Sequence, residues 1–335
     1  MEFIFPDRVR IAQLPTPIQR LTRLSELFGG PEIYVKRDDL TGSAVSGNKI
    51  RKLEFTAAQA LREKCDVLIT CGGLQSNHAR ATAAVAAHLG LKSHLVLAGE
   101  PTDLPDGNLF IDLLMGSKIS YLPGKELDDL NEYMQELAST YAKKGLKAFI
   151  VPLGASDGIG AMGYVNAIKE MMTQFKELGF TPDHILMPSG SGGTQAGLII
   201  GKQIFGLSSN IVGINVRMNR SYFIQEIQRV FDEFRNISGY DAGCHEHHIH
   251  ITDGYVGAGY AKTSVEEMRF IAKVAQTEGI ILDTAYTGKA MYGLYREIKK
   301  KTFHKDQKVL FIHTGGLFGL LPLASRFSKE VFQTG

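Results

Sequence analysis

A chain of 335 residues is long enough for one large or two ordinary domains, and 44% apolar with 21% charged residues is a globular composition that argues against disorder. A formal charge of +2 gives no electrostatic ground for nucleic-acid binding. Three cysteines without a CxxC argue against a disulfide framework or a cysteine zinc site, and no apolar run reaches signal-peptide or membrane-span length, so the expectation is a soluble protein of a reducing, cytoplasmic compartment.

The first informative stretch is SGNKIRKLEF, residues 46–55. Gly47 and Asn48 read as a loop and an N-cap, and Ile50, Leu53, Ala57 and Leu61 follow at helical spacing. Lys49, Arg51 and Lys52 therefore fall in a first helical turn, the positive end of the helix dipole, where each cation costs about 0.3–1 kcal/mol at an exposed site. Two readings are open: the long side chains bend back into water, or the turn belongs to a functional site that breaks the local rule.

From residue 65 onward short apolar runs alternate with helical stretches. VLIT (67–70), SHLVL (93–97), AFIVP (148–152), HILMP (184–188), IVGINV (211–216) and VLFIH (309–313) read as buried parallel strands. Residues 161–178, 194–204, 263–278 and 288–300 read as helices between them, the rhythm of doubly wound α/β sheets. The polar stretch 153–160 is the best place for a crossing between two domains, and 217–260, the least regular segment, reads as partly loop.

Three strand ends run into glycine-rich turns that open helices: CGGLQSNH (71–78), PSGSGGTQAG (188–197) and HTGGLFGLL (313–321). Free backbone N–H groups and the helix dipole make such turns anion sites. In the second, Gly190, Gly192 and Gly193 let the backbone close round a phosphate while Ser191 and Thr194 add hydroxyls. No Gly-Lys-Ser/Thr follows, and Gln195 stands where a GxGxxG needs its last glycine, so neither a Walker loop nor a dinucleotide fingerprint is present. In the first, Ser76 and the amides of Asn77 and His78 suit a carboxylate; a plain Ser N-cap is the other reading. Tyr260 and Tyr286 sit among small residues, open to a close-approaching ligand or simply packed in turns. CHEHHIH (244–250) lacks a metal-binding pair at helical spacing and reads as a solvated polar segment, so no metal is expected.

A lysine at a loop–helix junction, a phosphate turn and a carboxylate turn together fit a pyridoxal phosphate site. Lys49 would form the Schiff base, and crowding by Arg51 and Lys52 at a positive helix end would lower its pKa in the useful direction.

VKRDDLTGSAVSGNKIRKLEF, CGGLQSNHARATAAVAAHLGL, SGSGGTQAGL, EGIILDTAYTGKAMYGL and HTGGLFGL resemble, in order along nearly the whole chain, the family of D-cysteine desulfhydrases and aminocyclopropane-carboxylate deaminases. These are tryptophan-synthase-β-like, fold type II pyridoxal enzymes. The resemblance implies two doubly wound α/β domains with parallel sheets: a small one at 46–158, a large one formed by 1–45 plus 159–335, and pyridoxal 5′-phosphate between them in a homodimer. It implies that Lys49 holds the cofactor, Asn77 meets its phenolic oxygen, and Ser191, Gly192, Gly193 and Thr194 bind its phosphate. Ser76, matching the serine proposed as nucleophile or base in the deaminases, lies by the substrate carboxylate with Asn77 and His78, and Tyr260 and Tyr286 line the substrate side.

Two chemistries share this family. The resemblance implies that the residue after Tyr286 faces the pyridine nitrogen, where deaminases carry a glutamate that keeps that nitrogen protonated and the ring a strong electron sink. Here it is Thr287, whose neutral hydroxyl favours the weaker sink that suffices for α,β-elimination. Thr314 stands where deaminases tend to have leucine, and suits a polar substrate tail. Both departures point to D-cysteine elimination, giving pyruvate, ammonia and hydrogen sulfide with Lys49 as proton carrier at Cα. The alternatives are aminocyclopropane-carboxylate deamination, elimination from another β-substituted amino acid, and, more remotely, a non-enzymatic metabolite-binding module.

Overall fold

The structure is a computed structural model that describes residues 3–333. The chain opens with β1 (Ile18–Arg20), α1 (Thr22–Phe28), β2 (Glu32–Lys36) and α2 (Lys49–Arg62). There follow β3 (Val67–Gly73), α3 (Asn77–His88), β4 (Lys92–Ala98), α4 (Gly107–Leu114), β5 (Lys118–Tyr121), α5 (Leu130–Ala142) and β6 (Ala148–Ile150). The remainder is α6 (Gly158–Leu178), β7 (His184–Ser189), α7 (Gly193–Phe205), β8 (Asn210–Asn215), α8 (Arg220–Ser238), β9 (His250–Thr252), α9 (Val265–Glu278), α10 (Thr287–Lys299), β10 (Lys308–Ile312) and short helical turns to the end.

The strands form two sheets. One has six strands in the order β1-β2-β10-β7-β8-β9, parallel except for the antiparallel edge strand β1; the other is wholly parallel in the order β5-β4-β3-β6. Parallel strands covered by helices on both faces must be apolar throughout, and Val67, Leu68 and Ile69 of β3 or Val309, Leu310 and Phe311 of β10 are fully buried accordingly. The chain leaves the four-stranded sheet at Ile150 and, after a turn at Leu153–Ala155, enters α6 at Gly158, where Asp157 caps the helix by accepting from the Gly160 amide at 2.7 Å.

Helix α6 is gripped on two sides through glycines. A Cβ at Gly163 would overlap the Arg51 carbonyl of α2, and one at Gly197 of α7 would lie 2.5 Å from the Ala161 carbonyl oxygen. Backbone-to-backbone approach on both flanks fixes the starts of α2 and α7 relative to each other, which is what the site requires.

Segment 217–260 is partly loop, as its sequence reads, but not wholly irregular. It holds α8, a five-turn helix whose Phe223, Ile227, Val230, Phe231 and Phe234 bury one face, begun by Asn219 accepting from the Tyr222 amide and ended by Gly239 at φ +66°. The 3.6-residue period was present but flanked by polar, irregular chain on both sides. The histidine run forms a 3₁₀ turn at Glu246–His248 and enters β9 at His250; His245 and His247 stack at 5.4 Å on the surface, and among the described residues no three His, Cys, Asp or Glu are grouped to hold a metal.

Candidate active site

The carboxyl ends of β3, β7 and β10 and the start of α2 open on one cleft of about 720 Å³. Parallel sheets leave helix N-termini and unpaired amides at that edge, so all three glycine turns meet there although two sheets supply them. Lys49, Ser76, Asn77 and His78 line it, facing Ser191, Gly192 and Thr194; Tyr260, Tyr286 and Thr314 complete the wall. Gly193 lies buried directly behind the second turn, and Thr287 is buried away from the cleft.

The three cations in the first turn of α2 each have a separate fate, and none bends into water. Arg51, 1% exposed, places Nε and Nη2 on Asp38 at 2.9 and 2.8 Å and Nη1 on Glu170 at 2.9 Å. Tyr164 donates to the same Asp38 at 2.6 Å, so the first turn is bolted to α6 and to the turn at Asp38–Leu40 that follows β2. Lys49 opens on the cleft and is otherwise packed by protein; burial pushes its amine down to about 8, with Asp283 pulling the other way. The crowding expected from Arg51 and Lys52 is therefore not the cause: Arg51 is neutralised by its carboxylates, and desolvation does the lowering. Asn48 takes helical angles and leaves the backbone uncapped, donating instead to Thr194 Oγ1 at 2.9 Å and so tying the Lys49 helix to the glycine turn.

Lys52 explains the third cation. Its Nζ, fully buried, donates to the Gly154 carbonyl at 3.0 Å and Ser156 Oγ at 3.2 Å, and among the described residues no carboxylate reaches ion-pair distance. Burial, reinforced by the charge of Lys49, holds the amine well below its ordinary value. A Cβ at Gly193 would lie 2.6 Å from Ser156 Oγ and 2.8 Å from Lys52 Nζ, so only glycine lets the turn close over them. Ser156 also meets Ser191 Oγ at 2.8 Å. Uncapped amides at the start of α7, two serine hydroxyls, a threonine hydroxyl and a buried amine lacking a carboxylate form a donor set suited to a phosphate monoester dianion. Lys52 and Ser156 were missed as ligand groups in the sequence; the misplaced charge of Lys52 was the available signal.

Ser76 caps α3 by accepting from the Ala79 amide at 3.1 Å, which leaves its hydroxyl proton to donate into the cleft, so the capping and ligand readings hold together. Thr70 donates to the Val151 carbonyl at 2.8 Å and must therefore accept from His78 Nε2, also at 2.8 Å. This assigns the Nε2–H tautomer and leaves Nδ1 buried without a partner. Burial, then the charges of Lys49 and Lys52, hold His78 well below its ordinary pKa, and it is neutral.

On the opposite wall the hydroxyls of Tyr260 and Tyr286 are hydrogen-bonded to each other. Lys289 of α10, 1% exposed, donates to the carbonyls of Val256 and Gly259 at 2.5 and 2.8 Å and so holds the loop that carries Tyr260. Thr287 does not line the cleft. Its hydroxyl turns from the cleft, donating to Asp283 Oδ1 at 2.6 Å and accepting from the Asp283 amide at 2.8 Å, because Asp283 caps the first turn of α10. Thr314 stays on the cleft, its carbonyl accepting from the Asn48 amide at 3.2 Å against Gly47, whose φ of +107° and lack of Cβ permit the contact.

Comparison with known proteins finds relatives along nearly the whole chain. A D-cysteine desulfhydrase from Salmonella choleraesuis is 40% identical over 317 residues, which cover 93% of this chain and 94% of that protein. The bifunctional D-cysteine desulfhydrase/1-aminocyclopropane-1-carboxylate deaminase, mitochondrial, of Arabidopsis thaliana is 39% identical over 324 residues, 92% of this chain and 78% of the relative. A crystal structure described as that of the ACC deaminase homologue matches with a TM-score of 0.90 at 37% identity, covering 98% of this chain and 97% of the other. The family profile described as pyridoxal-phosphate dependent enzyme spans residues 9–315. The chain therefore belongs to the pyridoxal-phosphate dependent enzymes of fold type II, among the D-cysteine desulfhydrases and aminocyclopropane-carboxylate deaminases, with pyridoxal 5′-phosphate as its cofactor.

Proposed function

We propose that this protein catalyses α,β-elimination from D-cysteine, in which D-cysteine and water give pyruvate, ammonia and hydrogen sulfide. Bound pyridoxal phosphate supplies an electron sink for the substrate Cα. Lys49 would hold the cofactor aldehyde and, once the substrate amine has displaced it there, its free amine, lowered to about 8, would take the Cα proton. The amides of Gly192, Gly193 and Thr194, the hydroxyls of Ser191 and Thr194, and Lys52 hold the phosphate. The Ser76 hydroxyl and the amides of Asn77 and His78 hold the substrate carboxylate, while neutral His78 adds no charge there. The paired phenols of Tyr260 and Tyr286 stand where a hydroxyl can donate to the departing sulfur. The cofactor sits between a small domain at 46–158 and a large one of 1–45 plus 159–335.

One observation carries the choice of substrate. Position 287 offers no carboxylate, and the nearby Asp283 is already engaged by the Thr287 hydroxyl and by the amides of Tyr286 and Thr287 at 3.1 and 2.6 Å. Among the described residues of this wall Asp283 is engaged and no further carboxylate stands at position 287 to keep a pyridine nitrogen protonated, so the ring would be the weaker sink, adequate for expelling a thiolate and poor for opening a cyclopropane. Incubating purified holoenzyme with D-cysteine, L-cysteine and 1-aminocyclopropane-1-carboxylate tests this. Sulfide and pyruvate from D-cysteine are expected; 2-oxobutyrate from the cyclopropane without sulfide from D-cysteine would replace the reading with deamination. The same reading carries a cytoplasmic homodimer, checked by molar mass in solution; among the described residues no helix is long and apolar enough to cross a membrane.

A further inference from the structure

An asparagine in a ligand site presents a donor or an acceptor depending on which way its amide is turned, and the two orientations are nearly equal in shape. Asn77 lines the cleft, and its Oδ1 accepts from Asn108 Nδ2 at 3.1 Å. Its own Nδ2 is thereby the group left for the cleft. What fixes this polarity lies one layer further out, on α4.

Asn108 is fully buried and locked from both ends. Its Oδ1 accepts from Arg80 Nε at 2.8 Å, and a guanidinium can only donate. Its Nδ2 donates to the Gln75 carbonyl at 2.9 Å, and a carbonyl can only accept. Its backbone amide donates to Gln75 Oε1 at 2.8 Å. The amide of Asn108 therefore has one permitted orientation, and it imposes one on Asn77. Arg80, equally buried, extends the chain in the other direction: Nη1 bonds the Ala44 carbonyl and Nη2 the Ser46 carbonyl at 2.8 Å, both in the loop that leads into Lys49.

We propose that Asn108 is a positioning residue that turns the Asn77 NH₂ toward the phenolic oxygen of pyridoxal phosphate, with Arg80 anchoring both this amide and the approach to Lys49. The inference rests on the placement of Asn77 at that oxygen. Asn108 itself reaches neither cofactor nor substrate; it acts by denying Asn77 the orientation that would set two acceptors against each other.

The test uses Asn108→Asp, which keeps the side-chain shape and an acceptor for Arg80 but replaces the donor facing Asn77. The turned Asn77 then points its oxygen at an oxygen that carries negative charge. The pH midpoint of the bound cofactor's visible band should move up by about one unit, and cofactor affinity, measured by reconstituting apo-protein, should fall about tenfold. Asn108→Ser, which frees the amide without opposing it, should move both in the same direction by less, and carries the test if the aspartate variant does not fold. In an Asn77→Ala background neither Asn108 substitution should move the midpoint or the affinity further, since the relay has lost its last member. A shift that persists in that background shows a general structural role and overturns the proposal. An unmoved midpoint in Asn108→Asp, with Asn77→Ala effective, overturns the relay alone. An ineffective Asn77→Ala overturns the placement of Asn77 as well. None of these readouts depends on which amino acid is turned over, so a failure of the D-cysteine assignment remains separable.

Discussion

Thr287 and Asp283 hold each other twice, the threonine hydroxyl donating to Oδ1 at 2.6 Å while accepting from the Asp283 backbone amide at 2.8 Å. Burial works to raise the pKa of this fully enclosed carboxyl, and the bonds from Thr287 oppose that rise. The residue that differs from the deaminases is therefore coupled to a buried acid rather than set alone against a ring.

Thr287→Glu places a second carboxyl beside Asp283, and both cannot ionise there. The variant should lose roughly 3–5 kcal/mol of stability, as uncompensated buried charges do, and should carry one retained proton at neutral pH. In the folded fraction the ratio of cyclopropane turnover to D-cysteine turnover should rise. Parallel assays of 2-oxobutyrate and sulfide read that ratio; no change would remove residue 287 from the choice of chemistry.

Arg51 leads to a prediction about acid. Burial alone would raise Asp38 and Glu170, but the charge and hydrogen bonds of Arg51 overcome it and hold both carboxyls below their ordinary values. Such depressed groups stabilise the fold above their unfolded pKa, and that stability is lost as pH falls through the folded pKa, so wild type should weaken below about pH 4. Arg51→Met leaves two buried carboxylates facing Lys36 alone, a loss of roughly 3–5 kcal/mol at pH 7. With their pKa values now raised, the slope reverses, and the variant should recover stability between pH 7 and pH 5. Urea unfolding at the two pH values distinguishes the slopes.

Lys52 predicts a phosphate-specific defect. With burial holding its amine low, the residue is poised to regain a proton beside a dianion. Lys52→Met should weaken pyridoxal phosphate binding by about ten- to a hundredfold while leaving binding of phosphate-free pyridoxal nearly unchanged. Reconstitution of apo-protein with each compound measures the two affinities. Equal losses for both would place Lys52 in the architecture rather than at the phosphate.

The parts legible in the sequence were those fixed by local pattern. The apolar runs at 67–70 and 309–313 need burial on both faces wherever they lie, and they became β3 and β10. The glycine turns announced themselves because strand, turn and helix start are contiguous. What stayed hidden depends on distant chain. Lys52 and Ser156 lie 104 residues apart and meet only because α2 packs across α6. Asn108 sits in a short helix whose sequence has no marked feature, and its meaning comes from Arg80 and Asn77. Thr287 was set by resemblance against the ring, and its rotamer follows from the i to i+4 bond with Asp283, which spacing could have suggested and the chemistry of the ring obscured.

Lys289 gives the last prediction. Tyr260 reaches Tyr286 from a loop with little regular structure, and the two carbonyls that Lys289 holds, Val256 and Gly259, lie just before it. Lys289→Met removes both donors and leaves those carbonyls facing an apolar tip, so the loop relaxes and Tyr260 drifts from its partner. Displacement of a group by about 1 Å at a reacting centre costs on the order of a hundredfold. Turnover of D-cysteine should therefore fall about ten- to a hundredfold in kcat, while the cofactor's visible band and its affinity, set by Lys49 and the glycine turn, stay as in wild type. Tyr260→Phe should show the same division between turnover and cofactor binding, and combining it with Lys289→Met should cost little more than Tyr260→Phe alone. If the two losses multiply instead, Lys289 acts on the site by a route other than Tyr260.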